Sequence, residues 1–476
     1  MRMRYFLLLI VVTPCASLAQ GVTLADLLQT VREGHPLFGR ESRAVEIEAT
    51  SRERALAAQD WNLISRAFYA YQEPPGEDLF SPSSVHGSGI NVNLDKVFYN
   101  TGGRLSVKVS HSYIDQDLPF LDFGADPFRA GLPYYYQTEA YLTYSQPLWQ
   151  NRGGTLDRLE YELADFSVEL ARLRAAENQE GFLLEVGLRY LDWAAYLEQS
   201  AIVKARHDLA QEQLSQVRRR RELNLVDEVD VLRAVNAVHS GEEALVRIEA
   251  RYRAMQAELA EIAQWQDLYD RAPAHDLYGL SNVPESDDAV AQLRQRSRLL
   301  RSFAVAGRQL KRRLAAATGL YDPDLSLDVG YGLRQQDEGF ADALGVSEPD
   351  AFVALSLSLP LGRRQAKSDI ESLQLGILQV EDLAREAGIQ LESTLRSLRI
   401  EVERIEEVLR LDERQIESAR QRAQEELRLY NQGRSQLAFV ISARDDVARA
   451  QLNRSQNALV YQKLLLRYRE LMDELI

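Results

Sequence analysis

The chain has a single cysteine in 476 residues, Cys15. A mature chain without its first nineteen residues would have no disulfide framework, no zinc knuckle and no thiol nucleophile. Beyond that segment no apolar run approaches the roughly 18 residues of a transmembrane helix. A chain of this kind that crosses a membrane does so with strands. The six histidines, at 35, 86, 111, 207, 239 and 275, show no metal-ligand spacing. H-E-x-x-H, G-x-S-x-G and a phosphate-cradling glycine loop are all missing. The carboxylate pairs Glu425-Glu426 and Asp445-Asp446 fall in helical patterns, where solvated faces are the commoner meaning. Neither catalysis nor a cofactor is expected. Positive charge is in deficit, with a formal net charge of -15, which argues against nucleic acid as a partner.

Residues 1–19 read as a signal peptide: Arg2 and Arg4, an apolar run from Tyr5 to Val12, and the small-x-small site Ser17-Leu18-Ala19. The mature chain is expected to begin at Gln20. The alternative is a lipidated Cys15, although Pro14 stands where a lipoprotein signal has Gly or Ala.

What the chain has in abundance is helical periodicity. An apolar ladder runs through Ile370, Leu373, Ile377, Val380, Ala384, Ala387, Leu391, Leu395, Leu398, Val402, Ile405 and Leu409, in steps of three and four. Such spacing holds one narrow seam on one side of a helix. A helix from about Gly362 to Tyr430 would be roughly 100 Å long at 1.5 Å per residue. A second rod, from Leu159 to Arg221, carries a similar ladder.

Between helices the period drops to two. Tyr69 and Tyr71, then Ile90, Val92 and Leu94, then Leu105, Val107 and Val109, then Ala140, Leu142 and Tyr144 alternate with mostly polar neighbours. Thr101-Gly102-Gly103 is a turn. Leu325, Leu327, Val329 and Tyr331, and Val353, Leu355, Leu357 and Leu359, repeat the pattern later. Tyr134, Tyr135, Tyr136 and Trp149 flank strands and suit an interfacial girdle, or else pack on one another.

The chain reads as a duplication. The first repeat is 20–268, with strands at about 63–147 and a helical hairpin at 156–268. A linker follows at 269–288. The second repeat is 289–476, with strands at about 323–360, closed by Pro360, and a helical hairpin at 364–475. Tyr144-Ser145-Gln146-Pro147-Leu148 aligns with Leu357 to Leu361 at an offset of 213, and the tip at Asn224 with that at Gly433 at 209. Alignment of Ala57 with Ala316 at 259 leaves 46 extra residues in the first β region. Two spanning pairs already suffice for closure, so the extra hairpin near 87–113 reads as a rim extension; six spanning strands is the alternative. The short helices 36–62 and 435–475 together match one rod in length, as do 228–268 and 289–318. Laid end to end in those pairings, they would give four columns per chain. Narrow seams and open strand edges both call for oligomerisation.

On the duplicated helix–strands–helix order, the QPLW and LPLG segments, and the tips RRELNLVDEVDV and RLYNQGRSQLAFV, the chain resembles the TolC-type outer-membrane efflux channel family over nearly its whole mature length. The fold this implies is mainly α with membrane β: long coiled-coil helices forming a periplasmic α-barrel, and an outer-membrane β-barrel of twelve strands closed by a homotrimer. The resemblance also implies a passive exit duct for efflux or type I secretion, in the outer membrane and extending into the periplasm. A periplasmic adaptor (membrane fusion protein) and an inner-membrane pump would open it at the helix tips.

Carried over by residue, Asp230 and Tyr430 stand at gate positions. The partner arginine falls at Ser435, beside Arg434. Phe439 and Ser442 replace the family's paired aspartates, which suggests an apolar constriction in place of an acidic ring, or a Phe439 packed between helices. Asn224, Leu225, Gly433 and Ser435 would meet the adaptor, Asn224 standing where glycine is usual. The run Arg218–Arg221 reads as an adaptor contact or a solvated helix end. The alternative function is a periplasmic coiled-coil adaptor or scaffold, which would have no use for strands with an apolar face. An autonomous porin would lack the rods.

Overall fold

The computed structural model describes residues 21–74, 82–117, 133–281, 286–359 and 361–475. The expected signal peptide with Cys15, and Pro360, lie outside the described residues. The described residues group in two compact units. One holds 44–172 and 302–385; the other holds residues up to 43, 173–301 and 386 onward.

In the first unit, β1 (Asn62–Gln72), β2 (Ser84–Phe98), β3 (Gly103–Asp117), β4 (Tyr134–Pro147), β5 (Asp324–Asp337) and β6 (Glu348–Ser358) form one antiparallel sheet in chain order. The period of two is realised as a face: Leu63, Leu94, Val107, Leu142, Tyr331 and Ala351 form one cross-strand row. One step along, Ile64, Asn93, Lys108, Tyr141, Gly332 and Asp350 form a mostly polar row on the opposite side. The extra hairpin is part of this sheet rather than an appendage to it. β2 and β3 lie inside the sheet between β1 and β4, because their alternation is in phase with both neighbours and a one-residue slip would invert every side chain.

The helices of this unit are α2 (Pro36–Leu56), the one-turn α7 (Phe340–Ala343) between β5 and β6, and parts of α3 (Leu159–Glu222), α6 (Arg298–Leu320) and α8 (Arg364–Asn431). Arg52 pairs with Asp165 at 2.8 Å, Arg308 with Glu169 at 2.9 Å, and Lys311 with Glu381 at 3.5 Å. These contacts order the helices α2, α3, α6, α8. α2 starts on Pro36, where the missing N–H costs nothing. It ends before the expected residue 62, at Leu56, and a 3-10 turn leads into β1.

The second unit adds α1 (Leu24–Gly34), α4 (Glu228–Ala263), α5 (Ser286–Arg296) and α9 (Leu437–Leu471). α4 lies on α3 where Gly241 allows close approach to His207. α9 bridges α3 and α8: Lys463 pairs with Asp192 at 2.7 Å, Arg206 with Asp445 at 2.8 Å, and Asn457 donates to Asp412 at 2.7 Å. The core gathers Leu27, Leu183, Tyr190, Trp193 and Leu259. The hydroxyl of Tyr190 donates to the Val22 carbonyl at 2.8 Å, and burial pushes its pKa far above the ordinary tyrosine value.

The short helices do meet end to end, but in the other pairing. Gly34, the last residue of α1 and two before the start of α2, lies against the Ala263 carbonyl at the tail of α4, and the amide of Arg298, at the head of α6, donates to Asp473 just past α9 at 2.8 Å. The helix expected over 289–318 is divided into α5 and α6 at Ser297. The described first part of the linker, 269–281, is strapped down rather than loose. Ala274 donates to Val22 at 2.8 Å, and the buried amide of Gln256 donates to the carbonyls of Leu268, Tyr269 and Arg271.

Every ladder position from Ile370 to Leu409 is at least partly covered, with Leu395 and Val402 buried. A second apolar face of α8 is open: Leu375, Leu378, Ile389, Ile400 and Leu411 are exposed. The outward sides of α2 and α4 likewise expose Ile47 and Val246.

Arg298 joins α6 to both α3 and the end of α9, pairing with Glu177 at 2.9 Å, with Asp473 at 3.1 Å, and with Glu180, whose side chain is 2% exposed. Arg298→Ala strands the Glu180 carboxylate in the interior, a loss of about 3–5 kcal/mol. The thermal midpoint in detergent should fall, and adding Glu180→Gln should restore part of it. An unchanged midpoint for the single variant would contradict this role.

Candidate functional site

The two helix tips are built by the same local chemistry. At the end of α3, Asn224 has φ 57°; its amide donates to Arg221 O at 2.9 Å and the Leu225 amide to Arg220 O at 2.9 Å. At the end of α8, Gly433 has φ 71°; its amide donates to Tyr430 O at 3.0 Å and the Arg434 amide to Leu429 O at 2.9 Å. This is the Schellman arrangement, in which a left-handed residue returns the last carbonyls of a helix to hydrogen bonds. Asparagine tolerates that conformation, so Asn224 serves where Gly433 serves in the other tip.

The tips are packed on each other. Val217, Ala234 and Leu437 are buried together, with Leu214, Val226, Val231, Tyr430 and Ile441 against them. Next to this cluster lies an open cleft of about 930 Å³ lined by Arg220, Asp227, Asp230, Arg233, Tyr430 and Gln436.

Within one chain the candidate residues are only partly brought together. Asp230 accepts from Arg233 Nη1 at 3.0 Å, three residues along its own helix. The Tyr430 hydroxyl is buried without a hydrogen-bond partner, and its ring carries the Arg220 guanidinium at 4.7 Å. Arg220 also donates to Asn431 Oδ1 at 2.8 Å. Ser435 donates to Glu426 at 2.7 Å. Exposed Glu425 is held below the usual carboxylate range by its bonds to Arg428 and, in smaller part, by the charge of Arg434. Phe439 is 52% exposed and shares a helix face with exposed Ser442, opposite buried Val440 and Ala443. Within the chain, then, Phe439 does not pack between helices. Asn224 and Leu225 are also exposed.

Arg220 is the residue whose role at the tip the sequence pattern left undecided. It sits in the Arg218–Arg221 run, whose spacing matches a solvated helix end, and its partners are 210 residues away on α8. Between the same four helices, back from the tips, is a mostly apolar cavity of about 380 Å³. Arg444 lines it and donates to Gln213 at 2.6 Å; burial lowers its pKa below the ordinary arginine value.

Neither a family model nor a curated protein matches the chain. Solved structures do. The outer membrane protein VceC of Vibrio cholerae aligns at 12% identity and TM-score 0.67, covering 94% of this chain and 96% of that one. The CmeC outer membrane channel of Campylobacter jejuni aligns at 10% and 0.65, covering 95% and 85%. The MtrE outer membrane channel of Neisseria gonorrhoeae, in its open state, aligns at 11% and 0.65, covering 94% and 88%. The chain has the fold of these channels along nearly its full length.

A cation–π contact of this kind contributes about 0.5–2 kcal/mol. Arg220→Gln should therefore speed amide hydrogen exchange in residues 220–226 and 430–435 by roughly threefold to thirtyfold. Tyr430→Phe keeps the ring and loses a hydroxyl that has no partner, so exchange should stay near wild type. Equal loosening by both variants would contradict the assignment.

Proposed function

We propose that the chain is one protomer of a TolC-type outer-membrane channel, a passive exit duct of a tripartite efflux or type I secretion system. The reading rests on one observation above the others: a sheet with a continuous apolar face joined to long helices with narrow seams, in the fold of outer-membrane channels. No helix among the described residues is long and apolar enough to cross a membrane, so the strands are the elements available for it.

Three copies, the number the sequence resemblance implies, would join β6 of one chain to β1 of the next. The same assembly would cover the exposed apolar side of α8 with the outward side of α2 and α4. The residues 20–268 and 289–476 then act as two repeats around the linker 269–288. A scaffold or adaptor would leave the apolar sheet face without a purpose.

The tips are the gate in this reading. Asp230 and Tyr430 hold their family positions, with Arg233 and Arg220 as their partners inside the chain; Arg434 is left available to a neighbouring copy. Phe439 and Ser442, exposed on one face of α9, would line the narrowest point with an apolar ring. Asn224, Leu225, Gly433 and Ser435 form the surface that a periplasmic adaptor, working with an inner-membrane pump, would engage. The passage itself needs no catalytic group.

Planar-bilayer recording is the test. Wild type should show a small, mostly closed conductance, and Phe439→Ala and Asp230→Ala should each raise it. Silence from all three as verified, folded, inserted assemblies would contradict the tip gate. Failure to insert at all would favour the scaffold.

A further inference from the structure

We infer that the β2–β3 hairpin is a lipid-facing part of the barrel wall, so that each chain gives six spanning strands and three chains close a barrel of eighteen. This deepens the channel reading above and rests on it.

The hairpin reaches as far as its neighbours at both ends. β2 pairs with β1 from Val85↔Gln72 to Asp95↔Asn62, the whole length of β1, and β3 pairs with β4 from Arg104↔Ser145 to Asp115↔Tyr134. Its turn is fixed between the end of α2 and the start of α3: Tyr99 donates to Ala55 O at 2.5 Å, and Arg158 donates to Tyr99 O at 3.0 Å. Each of its strands has 15 residues, more than the roughly 9–11 that span a bilayer.

The apolar side crosses the hairpin in the rows of Leu94–Val107 and Val92–Val109, and between them and the girdle it carries His111, hydrogen-bonded to Thr138 at 2.8 Å. On one side Ile90 and Val109 are 46% and 43% exposed, much as Leu142 is at 49%. Tyr113 of the hairpin sits beside Tyr136 at the end of the same face, where an aromatic girdle belongs; alternation puts Tyr135 on the other side. On that other side the polar bonds also cross the hairpin: Ser106 donates to Asn93 at 3.0 Å and Ser110 to Glu139 at 3.4 Å. A rim extension bathed in water on both sides would have no use for an apolar face in phase with the spanning strands.

Barrel width grows with strand number. Strands about 4.8 Å apart and tilted by about 40° give a backbone diameter of roughly 36 Å for eighteen, against roughly 24 Å for twelve. The membrane stage would then be wide, and passage would be limited at the tips rather than in the sheet.

Single cysteines in a Cys15→Ser background, spin-labelled in liposomes, test this through collisions with oxygen and with a water-soluble nickel chelate. Val107→Cys and Val109→Cys should match Leu142→Cys and Tyr331→Cys, with an oxygen-to-nickel ratio several-fold above that of Lys108→Cys and Ser110→Cys. If positions 107 and 109 meet nickel as readily as 108 and 110 while 142 and 331 remain in lipid, the inference is overturned and the channel reading stands. If 142 and 331 meet nickel as well, both fall.

Discussion

A sheet in lipid must satisfy the backbone groups along both of its edges, and among the described residues the outer sides of β1 and β6 have no strand beside them. In the proposed channel six strands fall short of the roughly eight of the smallest outer-membrane barrels, so closure would come from further copies of the chain. The helices repeat the condition in another currency. One side of α8 buries the ladder residues Leu395 and Val402, and another presents Ile389 and Ile400 to solvent. In that reading a single protomer is a segment of a wall, with edges built to be covered.

At the tips the proposed function sets a different requirement, since a gate must come apart as well as hold. The interaction across the two tips combines a small apolar cluster around Val217 and Leu437 with the Arg220–Tyr430 contact. The cation–π contact contributes about 0.5–2 kcal/mol, and burial of Val217 and of Leu437 about 1.5–3 kcal/mol each. The wall elsewhere is tied by buried charge, as at Arg298 and Glu180.

The rods and strands were legible because periods of 3.5 and 2 are properties of single segments. The ladder from Ile370 to Leu409 and the alternation of Val107 and Val109 needed no partner to be read. Of two features that depended on distant pairing, one was misread and one was left open. Helix lengths allowed either end-to-end pairing, and only contacts such as Gly34 with Ala263 decide it. The 46-residue surplus showed an extra hairpin but not its register, which is set by its match to β1 and β4 on both sides. At the tips, Asn224 and Gly433 were readable as turn residues by their chemistry. The placement of Arg220 over Tyr430 was not, because nothing local in an arginine run points to a ring two hundred residues on.

Native mass spectrometry of the detergent-purified protein, paired with circular dichroism before and after mild heating, bears most directly on the claim that one chain is an incomplete wall. A three-chain mass is predicted, with strand signal lost as the assembly separates. A monodisperse single chain that keeps its full strand signal would show that the sheet satisfies its edges alone, and the account would be wrong.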